Sequence, residues 1–126
     1  SACHLGYTYG NPTISKLADG RWVVFVTSGY NNVNTPAVTG DGIGYLYVLD
    51  ALSGQIIYKI STGAGSAATP SGLGKIANFV LDTALNNTTQ HIYGADLLGN
   101  VWRFEVNAAQ TATRITTIVD ASNNPQ

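Results

Sequence analysis

Two histidines, His4 and His91, and seven acidic residues are the groups in this 126-residue chain best suited to moving protons. Acid–base catalysis needs such groups paired within reach of one substrate atom. No Ser-His-Asp order stands out, and the acids do not fall into a clear couple. His91 opens an expected strand beside a polar loop, a lone imidazole near one carboxylate, which describes a surface residue better than a ligand or base. Gly40-Asp41-Gly42-Ile43-Gly44 is glycine-rich. Phosphate cradles of that kind open a helix, whereas a strand follows here, so the run reads as a loop returning to a hairpin. Cys3 is the single cysteine, so no internal disulfide and no cysteine-based metal site can form. Any partner for it would lie outside this sequence. Trp22, Tyr47 and Trp102 could stack on a ligand, but their places in apolar strands favour packing between sheets. Asp50 and Asp96 adjoin strands and precede turns, where carboxylates accept backbone N–H bonds and hold corners. Asn86-Asn87-Thr88-Thr89 contains two glycosylation sequons. The expectation is a protein without an enzymatic centre.

The elements that position these residues read as strands throughout. Gly44-Tyr45-Leu46-Tyr47-Val48-Leu49-Asp50 is echoed 55 residues later by Gly99-Asn100-Val101-Trp102-Arg103-Phe104-Glu105. Each copy has large side chains at period two, entered by glycine and closed by an acid. A strand repeat of this length points to a β-propeller. Strands are expected at 12–17, 22–28, 44–50 and 55–61, then at 75–81, 91–95, 100–106 and 114–119. Ile14 and Leu17 are expected to face inward, and Tyr47 to superpose on Trp102. The second strand is apolar almost throughout, as a strand covered on both faces would be. Asp19-Gly20, Ser53-Gly54 and Leu98-Gly99 mark tight turns. No useful window shows a 3.6-residue apolar period. The expected fold is all-β: two four-stranded antiparallel blades of a partial β-propeller, about 11–61 and 75–120, joined by a glycine-rich linker at 62–74. Residues 121–126 read as frayed. Two blades do not close a ring, and the chain has no methionine and begins with Ser1. It is therefore expected to be a piece of a larger propeller, with any leader upstream.

Composition narrows the class. Hydrophobic residues make up 44% and charged residues only 10%, against about 25% charged in ordinary domains. Asn, Thr and Ser must supply the polar surface, a balance suited to extracytoplasmic β proteins. The net charge of -1 lacks the cationic excess that nucleic-acid binding requires. No apolar run approaches the ~18 residues of a membrane helix.

Several segments together resemble the C-terminal propeller region of the PilY/PilC family, surface proteins of bacterial type IV pili. They are Gly10-Asn11-Pro12, Trp22-Val23-Val24, Ser28-Gly29-Tyr30-Asn31-Asn32, Leu46 to Asp50 with Ser53-Gly54, and the run from Tyr93 to Phe104. The last is the most distinctive, with its Asp-Leu-Leu-Gly-Asn-x-Trp-Arg-Phe string. The resemblance implies support of pilus assembly or extension, twitching motility and surface adhesion through protein–protein contacts. It implies minor pilins or the pilus tip as partners, a host surface as a further one, and the rest of its own propeller. It also implies a cell-surface or pilus-associated location. Tyr47 to Gly54 alone also resembles quinoprotein propeller repeats. A quinoprotein-like dehydrogenase is thus one alternative, although the cation ligands and catalytic acid it would need are not apparent. A carbohydrate-binding β module, which would depend on exposed aromatics, is the other.

Members of that family carry a calcium loop, similar to an EF-hand loop, where this chain has residues 82–90. Its first, third, fifth and ninth positions are here Asp82, Ala84, Asn86 and Gln90. Calcium takes six to eight oxygens, several of them from carboxylates. Asp82, Asn86 and Gln90 would be the remaining ligands, with one acid among them. The expected reading is a degenerate calcium loop held by its own Asn and Thr side chains, with no cofactor. The longest connection, 29–43, offers Tyr30, Asn31, Asn32 and Asn34 as a partner-binding set, an aromatic ring beside adaptable amides.

Overall fold

The computed structural model describes residues 4–33 and 39–125, so Cys3 and Asn34 lie outside the described residues. Eight strands follow one another: β1 (Thr13–Lys16), β2 (Trp22–Thr27), β3 (Tyr45–Asp50), β4 (Ile56–Ser61), β5 (Ile76–Val80), β6 (Thr89–Ala95), β7 (Asn100–Glu105) and β8 (Thr111–Thr117). They form two four-stranded sheets, β1-β2-β3-β4 and β5-β6-β7-β8. Every neighbouring pair is antiparallel. Residues of each sheet thus pair with their sequence neighbours, and the described residues contain no helix.

Two strands begin earlier than their composition suggested. β6 takes in Thr89 and Gln90, because Thr89 pairs with Val80 past a register shift. β8 starts at Thr111, opposite Glu105. Threonine favours the pleated conformation, and in both places it extends the ladder into residues that looked like loop.

The two sheets bury one continuous core between them. Leu17, Val23, Phe25, Leu46, Val48 and Ile60 come from the first sheet and its turns. Ile76, Ile92, Trp102, Phe104 and Val106 come from the second, and Leu73 enters from the linker. Full burial of one such side chain is worth roughly 1.5–3 kcal/mol. Along β2, Val23, Phe25 and Thr27 are buried, while Val24 and Val26 on the other face are half-buried. β2 is therefore fully covered on one face only, since Val24 and Val26 on the other are half-buried and Trp22 is exposed.

Three inward assignments change. Ile14 is 67% exposed, and Ser15 takes the buried place in β1. The Ser15 hydroxyl donates to the Asn87 carbonyl at 2.5 Å and accepts from the Thr89 hydroxyl at 2.7 Å. A small polar residue is needed there because the second sheet docks through it. Trp22 is 48% exposed and stays outside the core. The 55-residue repeat is also out of phase. Val48 pairs with Phe25 and Phe104 with Ile92, all four in the core. Leu46 and Val48 therefore correspond to Trp102 and Phe104, an offset of 56. Tyr47 pairs with Val26 on the opposite face. A one-residue slip reverses every side chain of a strand, so Tyr47 and Trp102, aligned in sequence, point to different faces.

Further bonds tie the sheets together. The Lys16 N–H donates to the Asn87 carbonyl at 3.1 Å. Ala18 N–H donates to Asn107 Oδ1 at 2.8 Å, and Asn107 Nδ2 donates to the Thr89 carbonyl at 2.8 Å.

Candidate functional site

The turn between β6 and β7 explains the most distinctive string in the sequence. Asp96 is buried. Its Oδ1 accepts the N–H groups of Leu98 and Asn100, each at 2.9 Å. Its Oδ2 accepts from Asn100 Nδ2 and from Trp102 Nε1, also at 2.9 Å each. A buried carboxylate is costly unless all its lone pairs are engaged. Four donors within six residues meet that demand, and Gly99, at φ 77°, closes the turn. Asp50 acts similarly but at the surface, accepting from Leu52 and Ser53 N–H at 3.0 and 2.8 Å. The Ser53 N–H, then the Ser53 hydroxyl and the Leu52 N–H, hold its carboxyl below the usual carboxylate range.

The connection from β2 to β3 is organised around Asn32, which is buried. Its amide nitrogen donates to the carbonyls of His4, at 3.1 Å, and Ile43, at 2.7 Å. Its backbone carbonyl accepts the Gly42 N–H at 3.0 Å. Asn32 therefore clips the two ends of the connection together and offers no amide to solvent. Tyr30 bridges to Tyr7 in antiparallel fashion. Its ring lies against Gly72 and Gly74 of the linker, where a Cβ on Gly74 would collide with the Tyr30 hydroxyl. Asn31 is exposed, with φ 57°. Of the set singled out in this connection, Tyr30 and Asn31 sit at the surface or half-buried.

Asp41 gathers a cluster that sequence spacing did not reveal. His4 Nδ1 lies 2.9 Å from Asp41 Oδ2, and Tyr45 donates its hydroxyl to that oxygen at 2.5 Å. Asp41 Oδ1 accepts the Ile43 N–H at 3.0 Å. Burial pulls the Asp41 carboxyl up, but the Tyr45 hydroxyl, the Ile43 N–H and His4 outweigh it and leave the group below its ordinary value. Burial, followed by the hydrogen bond to Asp41, pushes the Tyr45 phenol up to about 12. Tyr45 is therefore a hydrogen-bond donor at neutral pH. Lys59 Nζ stands 4.0 Å from the Tyr45 ring centre, within cation–π range. His4 reaches this cluster from 37 positions away in sequence, and nothing in the local pattern signals it.

His91 finds its carboxylate across the sheet. Its Nδ1 lies 3.0 Å from Glu105 Oε1, which also lies 3.2 Å from Arg103 Nε. His91 and Glu105 are directly paired on β6 and β7. The imidazole thus belongs to a polar cluster with Glu105 and Arg103 and not to the neighbouring loop.

In that loop, Asp82 Oδ1 accepts the N–H groups of Ala84 and Leu85 at 2.9 and 3.2 Å. Asn86 Oδ1 accepts the Thr88 N–H at 2.9 Å. Gln90 sits inside β6. Among the described residues no group of three His, Cys, Asp or Glu side chains converges on one point. One carboxylate, with an oxygen already engaged by backbone, does not fit the needs of a calcium ion. The Asp and Asn side chains satisfy the loop's own N–H groups, and the Asn87 carbonyl docks the loop on β1.

Two antiparallel four-stranded sheets packed face to face over one core, with a buried Asp–Trp corner, define this chain as a segment of a β-propeller. The family model of the PilY1 beta-propeller domain matches residues 1–120, and the chain belongs to that family. A type IV pilus biogenesis factor PilY1 homolog of Xylella fastidiosa is 36% identical over 111 residues, covering 82% of this chain and 7% of the relative. The type IV pilus biogenesis factor PilY1 of Pseudomonas aeruginosa is 30% identical over 106 residues, covering 84% of this chain and 8% of the relative. The chain thus spans less than a tenth of the length of these curated relatives. The crystal structure of the Pseudomonas aeruginosa PilY1 C-terminal domain superposes with a TM-score of 0.77 at 24% identity, over 98% of this chain and 28% of that one. The likeness in fold therefore extends over both sheets.

Proposed function

We propose that this chain is the propeller segment of a type IV pilus biogenesis factor and acts through protein–protein contacts rather than bond chemistry. Membership of the PilY1 beta-propeller family over residues 1–120 carries the reading. Its relatives are named as pilus biogenesis factors. On this reading the protein works outside the cytoplasm at the cell surface or on the pilus. Its partners are minor pilins or the pilus tip, and it supports pilus extension, twitching motility and adhesion. No helix among the described residues is long and apolar enough to cross a membrane.

The 29–43 connection is the proposed contact element, with Tyr30, Asn31 and Asn34 as its candidate contact residues and Asn32 as the internal clip. Loops of this length in compact domains are usually functional or mobile. The test is made in the full-length protein in its source bacterium. Deleting the gene is expected to abolish surface pili and twitching. Replacing residues 33–40 by a two-residue turn is expected to reduce both while the protein is still made and folded. Normal piliation in the deletion strain would overturn the pilus role. Normal piliation with the shortened loop would overturn the loop's part in it alone.

A further inference from the structure

A polar hollow opens where the two sheets meet at their first strands. It is a cavity of about 400 Å³. Trp22 and Phe79 stand on it with Ile14, and Asn78, Thr83 and Asn87 supply its polar groups. Trp22 and Phe79 are each 48% exposed, large rings that the core does not use. Trp22 also lines an adjoining hollow of about 390 Å³ with Arg21, Asp50 and Leu52. One indole therefore borders two neighbouring cavities.

The polar groups available there are neutral. The Thr83 hydroxyl and the Asn87 side-chain amide hold no hydrogen bond among the described residues. Asn78 uses only its nitrogen, in a long 3.5 Å contact with Thr89. Asp82, the nearest acid in sequence, is turned away into the N–H groups of Ala84 and Leu85. The first hollow therefore combines flat apolar rings, amide donors and acceptors and a hydroxyl, with no carboxylate lining it.

We propose that this hollow is a binding site for a neutral saccharide, a disaccharide or longer, with Trp22 as its stacking platform. A pyranose presents a C–H face that lies on an aromatic ring and an equatorial belt of hydroxyls that both donate and accept. Asn and Thr side chains match that belt, and the volume is in the range of small-ligand pockets. The adjoining hollow beyond Trp22 gives a second sugar unit a place to lie. Lys16 Nζ lies 6.0 Å from the Trp22 ring centre, a cation beside the platform and not among the groups that line the hollow. This site rests on the cavity alone and stands or falls separately from the pilus role.

The experiment is titration of the full-length protein with lactose, cellobiose, maltose and N,N′-diacetylchitobiose, followed by calorimetry and saturation-transfer NMR. Saturable binding of at least one of these sugars is expected. Trp22→Ala and Asn87→Ala are each expected to weaken it about tenfold, the loss typical of a central contact, while Trp22→Phe keeps most of the affinity. Asn87 anchors β1 through its backbone carbonyl, so Asn87→Ala leaves that docking bond in place. Thr83→Ala, on the exposed loop, serves as a second probe if Trp22→Ala does not fold. Absence of saturable binding to all four sugars overturns the proposal. So does binding that survives unchanged in Asn87→Ala and Thr83→Ala.

Discussion

The same topological task, passing from the second strand of a sheet to the third, is done in two ways. β6 reaches β7 through a tight turn at Asp96–Gly99, governed by one buried carboxylate. β2 reaches β3 by a long excursion that ends at Gly44, governed by one buried amide. The choice of group follows from what each must satisfy. The tight turn presents N–H donors, so an acceptor-only carboxylate serves it. The long connection presents the Ile43 carbonyl and meets that of His4 in the N-terminal segment, so it needs the two donors of an amide. The outer faces differ as well. Ile14, Val24, Leu49 and Ile56 form an apolar row across the first sheet, whereas the second carries the Arg103–Glu105 ion pair with His91 beside it.

The strongest way to break this comparison is Asp96→Ala. It strands four donors in a buried turn and is expected to cost about 4 kcal/mol in urea unfolding, since bonds to a charged group and unmet buried donors both count. A loss below about 1 kcal/mol would mean that water replaces the carboxylate. Asp96→Asn should be milder, because one acceptor oxygen remains.

Asn32→Ala comes next, at about 2 kcal/mol, because two carbonyls lose one clip. Hydrogen exchange should locate the loss around Asn32 and Ile43 rather than in the core, since Gly42 N–H keeps its bond to the Asn32 backbone carbonyl. Here the chemical logic inverts: Asn32→Asp is expected to be worse than Asn32→Ala, since a carboxylate would face two carbonyl oxygens. If Asn32→Asp were the milder change, the donor–acceptor account of the two connections would fail.

Trp102→Phe keeps a ring in the core but removes the Nε1 bond to Asp96, for an expected cost of about 1–2 kcal/mol. Tyr45→Phe is expected to cost about 1 kcal/mol at neutral pH, and it carries a pH signature. The folded-state phenol titrates at about 12, above its ordinary 10. The stability it contributes is thus complete below pH 10 and is lost as pH rises towards 12. Asp41, lowered in the folded state, contributes above its ordinary value of 3.8 and loses that contribution as pH falls below it. Chemical denaturation across pH should show a shallower alkaline slope in Tyr45→Phe than in the parent, and an equal slope would sink the Asp41–Tyr45 assignment.

The smallest effect belongs to calcium. Millimolar calcium is expected to move the melting temperature by less than about 1 °C, because one carboxylate is too few for tight binding. A larger upward shift would show that loop 82–90 gathers oxygens beyond Asp82 and Asn86.

Strand identity was legible in the chain itself, because period-two apolar residues and glycine-bearing turns act over a few neighbours. Asp19-Gly20, Ser53-Gly54 and Leu98-Gly99 mark turns for that reason, and the eight strands fall between such markers. The Asp96 corner was legible in part for the same reason, since its donors lie within six residues. Which face a residue joins was decided only in the folded molecule. Tyr47 and Trp102 share a sequence pattern, yet the pairing register sends them to opposite sides. Ser15 is inside and Ile14 outside because residues 72 and 74 positions away, Asn87 and Thr89, bind the Ser15 hydroxyl. His4, Asp41 and Tyr45 meet because Asn32 holds the His4 and Ile43 carbonyls together. Local conformational preference is written in neighbouring residues, whereas register and the clustering of polar groups depend on contacts between distant ones, which form only when the sheets pack.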